Sequence, residues 1–247
     1  MANPRDHLNR APIVEALLDL RVRPREGGPT PGMKSAAEAL RGDYPEVQEI
    51  SKIEGQLLID ARSVATTHSS TPLGWQLKNA TAGRVVRLAQ DGFTFSQLRP
   101  YPSWDVFLAE ARRLWASYAS AVAPREISRL SLRYINRIDL PASASLEDRL
   151  EAPPPIPPQV PKTVQRFLTQ VVVYDEGSSA SATITQAMEQ TQGPGVTPAV
   201  LLDIDVFRHG TWDSTDPRIW EAFGKFRALK NRIFFASLKE AAIKEYA

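Results

Sequence analysis

The chain has 247 residues, 43% of them hydrophobic, enough apolar material for one large domain or two small ones to build a full core. Its 30 basic and 28 acidic residues nearly cancel to a net charge of +2, so bulk electrostatics exclude the strongly basic surface typical of nucleic-acid binders. There is no cysteine, which excludes disulfides, thiolate zinc sites and cysteine nucleophiles and suits a reducing cytoplasm.

The opening MANPRDHLNRAPIVE has no apolar h-region, and no apolar run reaches the roughly 20 residues of a membrane span, so neither secretion nor a membrane association is expected. Ile13 to Val22 alternates: Val14, Ala16, Leu18, Leu20 and Val22 share one face, and Glu15, Asp19 and Arg21 the other, which predicts a strand with one dry side. A Pro/Gly turn over Pro24 to Gly32 precedes a short helix near Met33 to Arg41. Strands follow at Val47 to Asp60, Leu73 to Ala80 and Arg84 to Gln90. Asp91-Gly92 then joins RVVRLA to FTFSQL as a hairpin, because both residues tolerate positive φ. From Ser103 the period changes to that of a helix, with Trp104, Phe107, Leu108, Ala111, Leu114, Trp115 and Tyr118 forming a core-facing stripe about four turns long.

The second half repeats this order loosely. A strand over Ile127 to Leu140 leads to a short polar helix near Leu146 and strands around Val164 to Tyr174, Ser181 to Gln190 and Ala199 to Phe207. A long helix then runs from Asp216 toward Tyr246, with Asp216-Pro217 as N-cap and first residue. APPPIPPQVP, Ala152 to Pro161, reads as a stiff surface connection, and GPGVTP, Gly193 to Pro198, as a second break. The fold class is therefore α+β. Residues 1–247 form a single domain, in which a curved, mainly antiparallel sheet carries two long helices and halves 1–123 and 124–247 are pseudo-duplicated.

The stretches APIVEALLDLRV, VVRLAQDGFTFSQLRPYPSWDVF, SLRYINRID and LLDIDVF occur in that order over nearly the whole chain. Together they resemble a sporadically distributed family of uncharacterised bacterial proteins with an N-terminal P-I-V-E strand and a central R-Y-I-N-R-I strand. The resemblance implies a defence-associated or mobile-element gene module and carries no activity over.

Strand parity brings the charges together. Glu15 and Asp19 share the polar face of the first strand, Arg129, Arg133 and Arg137 that of the central strand, and Asp203 and Asp205 one face of LLDIDVF. Two readings stay open: a salt-bridged solvent face, or a charged groove in which Arg133 and Arg137 present forked donors to an anionic partner group. Asn136 shares the parity of Leu132, Tyr134, Ile138 and Leu140, so its amide must be bonded, at a helix end, at a bulge or to a ligand. The binding candidates are thus Glu15, Asp19, Arg133, Asn136, Arg137, Asp203 and Asp205.

His7, His68 and His209 all fall in expected loops or termini and none at metal-ligand spacing, and no phosphate-binding glycine motif occurs. No catalytic residue, metal site or cofactor is assigned. The expected function is a non-catalytic binding protein of the cytoplasm, the antitoxin, immunity or accessory member of a bacterial defence or mobile-element module. Its expected partner is a protein or a second copy, partly because the aromatics of the last helix exceed one stripe; nucleic acid is a third option. The alternative is a metal-dependent phosphohydrolase acting on a nucleotide or polyphosphate, with Glu15, Asp19, Asp203 and Asp205 holding Mg²⁺ or Mn²⁺. Leu17 interrupts the carboxylate row that such a site needs.

Overall fold

The alternating N-terminal stretch forms strand β1 (Ile13–Arg23), and burial follows its parity: Ala16, Leu18 and Leu20 are fully buried, while Glu15, Leu17, Asp19 and Arg21 keep contact with solvent. The structure is a computed structural model that describes residues 8–24, 31–60, 63–141, 143–161, 163–189 and 197–247; for residues 31, 52–60 and 63–71 it describes the backbone alone. After β1 come α1 (Pro31–Ala39), β2 (Glu46–Asp60), β3 (Ser63–Asn79), β4 (Arg84–Ala89), β5 (Gly92–Leu98) and α2 (Trp104–Val122). The chain continues through β6 (Glu126–Asp139), β7 (Leu168–Asp175), β8 (Ala180–Met188), β9 (Ala199–Trp212), α3 (Arg218–Ser237) and α4 (Glu240–Lys244). Every strand pair is antiparallel, and the nine strands form one open sheet in the order β2-β3-β4-β5-β1-β6-β9-β8-β7. The fold class is α+β.

Register explains the core. Leu18 stands opposite Phe95 on β5 and Leu132 on β6, Leu20 opposite Phe93 and Leu130, and Leu132 opposite Val206 on β9, so one face is apolar across four strands. The Ser103 hydroxyl accepts the N–H of Val106 at 3.3 Å and starts α2, whose stripe buries Phe107, Ala111, Leu114 and Tyr118. Phe107 stacks on Phe95 with centroids 5.2 Å apart, and the Tyr118 hydroxyl donates to the Ala89 carbonyl at 2.8 Å. Gly32 lets α1 approach α2 closely, since a Cβ there would sit 2.1 Å from the Ala121 carbonyl oxygen. On the other half, the Asp216 carboxylate accepts the Arg218 N–H at 2.9 Å, and α3 buries Phe223, Phe226 and Leu229.

Four expectations need correction. Strand β3 begins at Ser63 and not near Leu73: its first half is a Ser/Thr-rich arm without apolar alternation, paired only with β2. No helix forms near Leu146; Ser145 and Asp148 cap one another in a single turn, and Leu150 then bridges to Leu238. That bridge also divides the expected C-terminal helix, because Leu238 is extended (φ −116°, ψ 145°) and Glu151 N–H bonds the Ser237 carbonyl at 3.0 Å. His68 and His209 lie in β3 and β9 and not in loops. His7, the 25–30 part of the Pro24 to Gly32 turn, and residues 193–196 of GPGVTP lie outside the described residues. Among the described residues no helix is long and apolar enough to cross a membrane.

Candidate functional site

The face of the sheet opposite the helices carries the charges that strand alternation exposes. Arg133 binds Asp203 across β6 and β9 through a fork, with Nε 2.8 Å from Oδ1 and Nη2 on Oδ2, and this bonding, with Asp205 and Glu15 nearby, raises its already high pKa. Asp205 accepts Arg129 Nη2 at 2.9 Å and the Ser131 hydroxyl, and the Arg129 guanidinium lies 4.7 Å over the Phe207 ring. Asp19 accepts the Thr94 hydroxyl at 2.8 Å. Its other oxygen is buried with no hydrogen bond but sits 3.3 Å from Arg21 Nε and 3.6 Å from Arg129 Nη1, a purely electrostatic contact. Above these residues lies a concavity of about 390 Å³, bounded in part by Glu15, Asp19, Arg129, Arg133 and Asp205.

Glu15, Asp19, Arg133 and Asp205 therefore meet in one groove, and Asp203 joins it through Arg133. Arg137 shares their parity but not the groove. Near the end of β6 its Nε bonds Glu189 at 2.7 Å, its Nη2 bonds the Thr197 carbonyl at 2.8 Å, and its Nη1 reaches Asp139. Asn136 is 2% exposed and donates to the Leu202 carbonyl at 3.0 Å, opposite the place where the β1–β6 register shifts between Ile13 and Glu15. Its amide thus sits at a bulge, the second of the bonding roles the sequence left open. The three aspartates each face an arginine, and among the described residues no group of three or more His, Asp or Glu side chains could hold a metal ion.

A larger cavity, about 630 Å³, opens between the start of β1, the loop before α2 and the flank of α3, and both Asn136 and Arg137 line it. The Tyr101 and Tyr134 hydroxyls meet there at 2.8 Å, and burial pushes Tyr101 up to about 12. The Lys230 ammonium stands 4.1 Å from the centroid of the Tyr134 ring, and Arg227 lies 5.4 Å over Trp104. Burial, with Arg227 alongside, lowers Lys230 to about 7. Sequence reading passed over both cations. Their spacing with Phe234, i, i+3 and i+7 on one helical face, is the signal that could have found them.

No family model and no curated protein matches the chain. Among solved structures, one described as "KH domains" aligns at 7% identity with a TM-score of 0.23, covering 94% of this chain and 64% of that chain. This chain thus spans less than two thirds of that structure's length, and a likeness so low carries no argument about fold or ligand.

Proposed function

We propose that the protein is a non-catalytic interaction protein that associates by adding a strand to the free edge of its sheet at β7. The observation that carries this reading is the composition of that edge: in LTQVVVY, Leu168 is 71%, Val172 62% and Tyr174 66% exposed, with Val171 and Val173 also open to solvent. Edge strands ordinarily carry charge, proline or bulges that discourage pairing, and Leu168 to Tyr174 has no charged residue and no proline. The far end of the strand is tethered: Asp175 is held down to about 2 by the Ser178 hydroxyl and Arg232. The occupant is a second copy of the chain. An antiparallel pair centred on Val171 sets Val171 against Val171 and Leu168 against Tyr174, apolar against apolar, with Thr169 against Val173 and Gln170 against Val172 between them.

In this reading residues 1–247 act as one domain. A curved sheet under two long helices, with halves 1–123 and 124–247 in a duplicated arrangement, belongs to the same proposal. It is supported by the central places of β1 and β6, from each of which the later strands return inward. The cytoplasmic role is that of an antitoxin, immunity or accessory member of a bacterial defence or mobile-element module, as the resemblance of the motifs implies. Sedimentation equilibrium tests the edge. The wild type should show twice the 27.4 kDa chain mass, and Val171→Lys should return it to the single mass without lowering its melting temperature by more than a degree or two. A wild type that stays monomeric, or a dimer indifferent to Val171→Lys, refutes β7 as the contact edge.

A further inference from the structure

We propose that the cavity between β1, the loop before α2 and α3 binds an organic anion, its phosphate or carboxylate head held by Lys230 and Arg227 and its apolar body lodged against the aromatic wall beside them. At about 630 Å³ the cavity exceeds a bare inorganic anion and falls in the range of small-molecule sites. Five basic residues line it against two aspartates, and four of those cations, all but Arg99, divide into two kinds. Arg137 is already bonded to Glu189 and Asp139, and Arg10 donates to the Glu245 carbonyl at 2.7 Å. Lys230 and Arg227 instead have only aromatic faces beneath them, and among the described residues neither has a carboxylate within ion-pair distance.

An ammonium half-buried on an aromatic face without an anion is an unfavourable arrangement, and it marks a place where charge is supplied from outside. Depression of the Lys230 pKa agrees with this geometry. Phe234, Phe235 and Tyr246 complete the wall, which suits a ligand with a flat or aliphatic body. This site is on a different part of the molecule from β7 and does not depend on strand addition there.

The test uses the full chain with phenyl phosphate, benzoate and the neutral benzyl alcohol as probes, read by calorimetric titration and by the shift in melting temperature. Saturable binding of phenyl phosphate or benzoate, with benzyl alcohol at least tenfold weaker, is the expected result, and the stronger of the two acids identifies the head group. Lys230→Met and Arg227→Met should each weaken that binding at least tenfold, while Val171→Lys leaves it within a factor of two. The proposal is overturned if neither acid binds saturably at 10 mM. It is equally overturned if benzyl alcohol binds as well as the acids, or if binding survives both cavity substitutions in variants that melt cooperatively.

Discussion

Replacing Arg133 with alanine asks whether the charged face is a structural lattice. The substitution removes a forked contact to Asp203 across two strands, made by a side chain that is 44% exposed to a partner that is 19% exposed. At that exposure the pair contributes about 0.2–1 kcal/mol, and leaving a mostly covered carboxylate without its cation adds up to about 1 kcal/mol more. The sum, at most about 2 kcal/mol, corresponds to a fall of no more than about 4–8 °C in melting temperature for a domain of this size. The loss should depend on salt, because the fork is partly exposed and added ions screen the attraction that the variant removes. Arg133→Lys, which keeps the charge and loses the fork, should recover about half of the stability. Urea melts of wild type and both variants at neutral pH, in low salt and in roughly 1 M salt, measure this. A deficit below about 0.3 kcal/mol in low salt, or one unchanged by salt, refutes the lattice account and frees Arg133 for a ligand.

Tyr134→Phe keeps the ring under Lys230 and removes only the hydroxyl bonded to Tyr101, so it should cost about 0.5–1.5 kcal/mol, and combination with Tyr101→Phe should cost less than the sum of the two; strict additivity in thermal melts would show that the hydroxyls do not interact. Lys230 has a folded-state pKa near 7, below its unfolded value, so the cost of its charge is full at pH 6 and disappears as pH rises toward 10. Lys230→Met should accordingly be more stable than wild type at pH 6 by at least about 1 kcal/mol, with the gap narrowing to roughly a third of that value by pH 9.5; a gap that is constant with pH in denaturant melts contradicts the depressed ammonium.

Much of the fold follows from local periodicity. The parity of Ala16, Leu18 and Leu20, the Asp91-Gly92 turn and the helical spacing from Trp104 to Tyr118 each decide a buried face with no reference to the rest of the chain. The misses arise where a distant segment decides. Leu238 leaves the helix because Leu150, 88 positions earlier, offers it a bridge, and His209 enters β9 because the ladder with β6 extends to Trp212. Site residues divide the same way. Parity was enough to gather Glu15, Asp19, Arg133 and Asp205, whereas the destination of Arg137 depends on Glu189 and Thr197 from another connection. The cavity around Lys230 joins residues from five parts of the chain, and no single stretch announces it.

The seam between β1 and β6 carries a consequence for synthesis. β1 can pair with β5 as soon as Leu98 has emerged, but its opposite edge waits for Glu126 to Asp139, and β6 in turn waits for β9. At roughly 5–20 residues per second, a nascent chain holds that inner edge open for seconds, with Leu18 and Leu20 covered on one side only. A strand that lies in the core of the finished protein is thus left with one edge open during translation. Arg21 and Arg23 at its end, together with Glu15 and Asp19 along it, then act as guards that keep two growing chains from joining there before β6 arrives.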